Sequence, residues 1–302
     1  MAYPPLKMEG LTPEMENVAE RELGETPQVR KDSLEKIKEL IENEPDFYPC
    51  LDDKFLLMFL RCKKHDVQRA FKSLKRYYCF KEKYSGVFTD LLPTELRNIM
   101  KTNCYVDMPR RDHHGRNVVI WRLSQCLRTK IPIEKLFAAC LTVGILANRI
   151  EATSVCGIVL IFDFKDFSLQ EIFKFASPKF VMFFFNCIQE CLPFRIREVH
   201  IVNEPELFNV FYNIIKFAMP KKLMERVFMH GKNLKDLQKY LPPEILPEEL
   251  EGTAGPLDST EFYNNALSQE CFFKEMVKCG FRRKSAENLQ ERLEDKFSNI
   301  II

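Results

Sequence analysis

The sequence predicts an α/β protein in which a small helical domain precedes a mostly parallel sheet with covering helices. Three observations predict it. Early in the chain, apolar residues recur at helical spacing, as in Leu34, Ile37, Leu40 and Ile41. Further on, short continuous apolar runs such as GIVLIFD alternate with longer helical patterns, the mark of strands buried on both faces. Finally, 46% of the 302 residues are hydrophobic, enough for one large domain or one with a smaller partner.

Taken in order, Ser33 can cap the first helix, and Pro45 and Pro49 end it. Asp52 and Asp53 suit the N-terminus of a second, FLLMFLRCKK, because negative charge there opposes the helix dipole. Asp66 opens a third with Val67, Ala70, Phe71, Leu74, Tyr77 and Tyr78 inward, and Ser85-Gly86 breaks it. DHHGR at 112–116 is a turn before the strand VVIWRL. A long apolar helix then spans 133–151, followed by the strand at 157–163. Residues 169–188 are helical and Phe-rich, with Pro178 inside, and EVHIVN at 198–203 is a strand. Residues 205–217 and 220–226 are helical, and VFMHG is a short last strand. Pro242, Pro243 and Pro247 mark the exit from the sheet domain, and the last fifty residues read as charged surface helix.

Composition narrows the function. Lys and Arg total 45 against 43 Asp and Glu, so nothing global draws the chain to nucleic acid, and none is expected as a partner. Eleven cysteines without framework spacing fit free thiols in a reducing, cytoplasmic compartment. The opening MAYPPLKMEG lacks the apolar core of a signal peptide, and the longest apolar stretch, 136–147, is too short to span a bilayer. Nucleotide-binding glycine motifs and a nucleophile elbow are missing. His113 and His114 read as surface residues, Cys187 and Cys191 lack a second pair for zinc, and Asp163 reads as a cap for the turn after its strand. No enzyme, metal or cofactor is expected.

What stands out is apolar surplus, with 26 Phe. FASPKFVMFFFNCIQECL is apolar nearly all round. ELFNVFYNIIKFAM carries Leu207, Phe208, Phe211, Ile214, Ile215 and Ala218 on a face wider than a surface helix normally buries. Such stripes serve either ordinary core packing or a pocket. The small residues Cys140, Gly144 and Ala147 favour a cavity beside the sheet, and apolar cavities take apolar ligands. Basic residues form a second set: Arg61, Lys63 and Lys64; Arg195 and Arg197; Lys221, Lys222 and Arg226. Each alone is a solvated charge, whereas a phosphate needs several to converge.

The run FLLMFLRCKKHDVQRAFKSLKRYY, DHHGRNVVIWRL, GIVLIFDFKDFSL, PFRIREVHIVNEPELFNVFYNIIKF, MHG and LPPEILPEELEG resembles the CRAL-TRIO lipid-transfer family over about residues 30–255. The similarity is greatest to its tocopherol- and retinaldehyde-binding branch. The resemblance implies an N-terminal tail (1–29), a helical domain (30–95), a CRAL-TRIO lipid-binding domain (96–255) and a C-terminal helical tail (256–302). It implies a mobile gate over 207–227 whose inner face covers a lipid cargo and whose outer face touches membrane. Carried-over pocket positions are Phe137, Cys140, Leu141, Gly144, Ile158, Leu160, Phe162, Phe184, Cys187, Ile188, Leu192, Phe194 and Val199. Positions matching a basic cleft for phosphatidylinositol bisphosphate are Lys63, Arg195, Lys222 and Arg226. Cys140 and Gly144 replace the serines that help hold tocopherol's hydroxyl, and Gln125-Cys126-Leu127 replaces a Trp-Asp-Pro segment. The expected function is therefore a cytoplasmic, peripherally membrane-bound carrier of a tocopherol-, retinoid- or carotenoid-like lipid, with aromatic walls suiting a flat or ring-bearing cargo. A phosphatidylinositol/phosphatidylcholine exchanger and a lipid-dependent protein-interaction module are the alternatives.

Overall fold

The structure, a computed structural model, describes residues 3–282, apart from the side chain of Ala218; residues 283–302 of the expected C-terminal tail and the Ala218 position lie outside the described residues. The expected N-terminal tail is folded. Thr12 caps helix α1 (Pro13–Val18), which runs into a π-helical turn, Ala19–Leu23, closed by Gly24 at φ 66°. Met15, Ala19 and Leu23 anchor this segment on Ala152, Val155 and Cys156.

Helix α2 (Pro27–Glu42) starts earlier than its periodicity suggests. Thr26 is the cap and Pro27 sits at the first helical position, so Ser33 lies inside the helix, bonded to His65 Nδ1 at 2.8 Å. After β1 (Phe47–Tyr48), Asp52 and Asp66 do cap α3 (Asp53–Cys62) and α4 (Val67–Lys83), accepting from Phe55 N and Arg69 N.

The central chain gives α5 (Arg97–Met100), β2 (Tyr105–Asp107), β3 (Asn117–Arg122), α6 (Leu123–Thr129), α7 (Ile133–Arg149), α8 (Glu151–Cys156) and β4 (Ile158–Asp163). The Phe-rich stretch is two helices, α9 (Leu169–Phe175) and α10 (Pro178–Glu190). Pro178 starts the second behind the cap Ser177, because it lacks the N–H that a helix interior needs. Strand β5 (Ile196–Val202), α11 (Phe208–Ile215), a 3₁₀ turn (Lys216–Ala218), α12 (Lys221–Met224) and β6 (Val227–Met229) follow. The expected gate is thus two helices joined at Pro220. Last come α13 (Leu234–Leu237), α14 (Thr260–Ser268), α15 (Glu270–Lys278) and β7 (Gly280–Phe281).

The sheet runs β2-β3-β4-β5-β6, parallel throughout except for β2. Alternation assigns its faces. Val118, Ile120, Val159 and Ile161 face a layer of Leu237, Leu241, Ile245, Leu246 and Leu250, all buried. The Pro-rich segment therefore covers the sheet's second face instead of leaving the domain. Val119, Trp121 and Leu160 face the other way, toward α10 and α11. The expected surface helices at the C-terminus also pack inward: Phe262, Tyr263, Ala266 and Phe273 fill the small-residue face of α7 at Ala138, Ala139 and Ala147. Antiparallel pairing of β7 with β1 then returns the chain to its first domain, where Phe281 stacks on Phe47 at 4.4 Å.

Candidate functional site

A cavity of about 110 Å³ lies between the sheet and the helices α9 to α12. A single water needs about 10–15 Å³ of such space, so the cavity is several waters wide, yet its wall is apolar throughout. The sheet supplies a floor of Trp121, Leu160, Phe162, Ile196, Val199 and Ile201. Helix α10 supplies a wall of Phe180, Val181, Phe184, Phe185 and Ile188. Phe208, Phe211, Tyr212 and Ile215 of α11 close it, with Met219 and Leu223 beyond.

Of the sequence-derived positions, Leu160, Phe162, Phe184, Ile188, Val199, Phe208, Phe211 and Ile215 meet at this cavity. The others stand elsewhere. Phe137, Cys140, Ile158 and Cys187 belong to the core beyond the lining, with Phe137 packed edge-on to Phe184 at 5.3 Å. The space expected beside Gly144 is filled: a Cβ there would stand 2.9 Å from the ring of Phe194. Leu141 and Leu192 line a separate gap of about 40 Å³ beside Tyr77 and Phe80. Leu207 and Ile214 point outward, 63% and 43% exposed, and with Val210 (49%) and Phe217 (86%) they make a bare apolar patch on the side of α11 away from the cavity. Trp121, Phe180, Phe185 and Tyr212 were not singled out from sequence. The Phe-rich stripe contained two of them, but periodicity alone does not rank one Phe above another.

Two of the basic positions bond the backbone of the segment 189–196, to which Arg195 itself belongs. Lys63 Nζ donates to Gln189 O at 3.4 Å, and Arg226 donates to Ile196 O at 2.5 Å. Lys63, Arg69 and Arg195 stand close enough to Cys62 to oppose the burial that raises its thiol pKa. Lys222 is exposed on α12, one turn before Arg226. Arg195 is already engaged: it donates to Ser154 O (3.3 Å), to Val155 O and to Glu22 Oε2 (3.3 Å). Arg61 leaves the basic set altogether. It is buried, bonded twice to Glu25 (2.6 and 2.8 Å), to Glu151 (2.6 Å) and to Ser154 (2.8 Å). Burial alone would raise the Glu25 pKa, but Arg61 and His65 bring it down to about 2.

Other polar residues singled out from sequence, and a buried histidine pair, bond within the fold away from the cavity. Asp163 Oδ1 accepts from Lys165 N (3.0 Å) and Asn203 Nδ2 (2.8 Å), fixing the turn after β4. His200 contacts His230 at 2.9 Å and Glu198 at 3.3 Å, while His230 contacts Asp236 at 2.7 Å, tying β5 to the segment after β6. His113 and His114 sit ring to ring on an exposed turn. Among the described residues, no group of three or more His, Cys, Asp or Glu could hold a metal ion, and no helix is long and apolar enough to cross a membrane.

Comparison with known proteins agrees with this architecture. Residues 101–252 match the CRAL/TRIO domain. The human protein named "Alpha-tocopherol transfer protein-like" is 35% identical over 276 residues, covering 90% of this chain and 80% of that protein. Human "Clavesin-2" is 26% identical over 264 residues, covering 86% and 80%. In fold, the crystal structure of Sfh5 aligns with a TM-score of 0.50 at 14% identity, covering 88% of this chain and 99% of that one. The chain belongs to the CRAL/TRIO domain family of lipid-binding and transfer proteins.

Proposed function

We propose that this chain, without catalysing a reaction, encloses one hydrophobic lipid under α11 and exchanges it at phosphoinositide-containing membranes. The carrying observation is the two-sided lid. Phe208, Phe211 and Ile215 face the apolar cavity, while Leu207, Val210, Ile214 and Phe217 stand bare on the opposite side. A lid greasy on both faces fits a hydrocarbon phase on each side of it. Burying a tail of about fifteen carbons would favour binding by roughly 12 kcal/mol before binding costs, so cargo needs no charged anchor. The aromatic wall and the names of the relatives favour a ring-bearing cargo, tocopherol-, retinoid- or carotenoid-like. A wall with no polar surface offers little to a phospholipid headgroup.

In this reading Lys63, Arg195, Lys222 and Arg226 hold the headgroup of phosphatidylinositol bisphosphate, and α11 with α12 swings at Pro220 to admit lipid. Contact with the membrane is transient and peripheral. The eleven free thiols suit a cytoplasmic protein.

Trp121, the only tryptophan, reports cargo entry directly because it stands on the cavity floor. Titration with retinol should quench its emission by energy transfer to the polyene. Mass spectrometry of lipid copurified with the native protein should find a neutral, ring-bearing lipid. A phospholipid in its place would replace the proposed cargo, and unchanged Trp121 emission would remove the cavity from the reading. Lys222→Ala with Arg226→Ala should slow transfer to phosphoinositide vesicles while cargo is retained; unslowed transfer would end the basic-cleft role.

A further inference from the structure

The N-terminal segment carries a carboxylate into the basic cluster. Glu22 accepts from Arg197 through both oxygens, at 2.7 and 2.9 Å, and from Arg195 at 3.3 Å. Two parallel bonds from one guanidinium are the same fork by which arginine can hold a phosphate, so the Glu22 carboxylate engages the donors a phosphate would use. The contact is built rather than incidental. The π-helical turn that presents Glu22 is held by Ala19 and Leu23 against α8. The Arg197 stem crosses Gly157, where a Cβ would fall 2.6 Å from Arg197 Cγ, so only glycine admits it there. The three side chains are partly buried, which limits screening by salt. Burial alone would raise the Glu22 pKa; the Arg197 bond and the charges of Arg197, Arg195 and Arg21 outweigh it, and the group stays ionised.

We propose that Glu22 determines headgroup selectivity: it is an internal ligand of the Arg195–Arg197 fork, which a polyphosphorylated headgroup displaces and a singly charged lipid does not. This rests on the phosphoinositide reading above. A tethered carboxylate competes at an effective concentration on the order of millimolar. A singly charged headgroup offers no more charge than Glu22 itself. A phosphomonoester carries about −1.5 to −2 near neutral pH, and a bisphosphate headgroup brings two. Displacing Glu22 also frees the Arg197 guanidinium and Nη2 of Arg195, while Arg195 Nη1 keeps its bonds to Ser154 O and Val155 O.

The test compares the full chain with Glu22→Gln and with Glu20→Gln, which makes the same change in net charge at an exposed site three residues from Leu23. Each is sedimented with phosphatidylcholine vesicles containing either phosphatidylinositol bisphosphate or phosphatidylserine, matched in surface charge. The wild-type chain should prefer the bisphosphate. Glu22→Gln should raise binding to phosphatidylserine vesicles about tenfold and narrow the preference, while Glu20→Gln should leave the ratio unchanged. Equal shifts in both variants, or none in Glu22→Gln, would overturn the proposal while leaving the phosphoinositide reading standing. A wild-type chain indifferent to the bisphosphate would overturn both. Should Glu22→Gln melt early, Glu22→Asp, which keeps the charge but withdraws it by one methylene, should shift the ratio the same way by less.

Discussion

Asp107 shows how far burial can move one group. It is enclosed at the end of β2, and that burial pushes its pKa up to about 7, with hydrogen bonds from Asn117 and Tyr105 and the charge of Arg111 only partly opposing it. The folded state therefore favours the protonated acid. As pH rises from about 4 to 7 the unfolded chain ionises here and the folded chain does not, so this group's contribution to stability falls over that window. Asp107→Asn removes the titration, and the new amide can pair with Asn117 Oδ1, which has no partner among the described residues. Urea unfolding should find the variant roughly 1–3 kcal/mol more stable than wild type at about pH 8, with the gap closing toward pH 4. A pH-independent gap would contradict the assignment. Residues such as Asp107 are invisible to sequence patterning because nothing in YVD announces full burial. Leu160, Phe162, Phe208 and Phe211 were legible, since strand alternation and helical spacing fix their faces. Gly144 was misleading for the opposite reason: the ring that fills its space, Phe194, comes from a loop fifty residues away.

At the scale of an element, α11 divides its apolar residues between two surroundings. Residues 208, 211 and 215 repeat inward, and 207, 210 and 214 repeat outward at the same spacing. Substitutions on the two faces should therefore separate. Phe217→Ser, beyond the helix end, should change stability by less than about 0.5 kcal/mol yet weaken vesicle binding. Phe211→Asp should abolish retinol capture because it puts a charge on the buried face, and calorimetry should show a lower Tm. Loss of capture in Phe217→Ser, or its retention in Phe211→Asp, would reverse the faces. Helix identity was readable wherever a cap preceded a periodic run, as at Asp52 and Asp66. Boundaries failed where proline begins a helix: Pro178 reads from sequence as lying inside one, and a start at Ser33 misses the earlier one at Pro27.

Across the whole molecule, the parallel sheet and its covering helices were evident from sequence, whereas both ends were misread as appendages. Their charged faces were plain, but periodicity shows that a helix has an apolar stripe without showing what receives it. The receiving surfaces are α7 and α8, more than a hundred residues from either end. Phe273→Ala should consequently cost about 3–5 kcal/mol, as a core position does, measured by denaturant midpoint. A cost below about 1 kcal/mol would return α15 to the surface. The short β1–β7 ladder has a consequence for biosynthesis. Phe47 leaves the ribosome long before Phe281, so the first helical domain, whose Phe71 and Tyr78 meet Phe47 only edge-on, must wait for more than two hundred further residues before the face of that ring is covered. Nascent chains arrested short of residue 280 should accordingly be the species that holdase chaperones retain, and release should coincide with the arrival of that last strand.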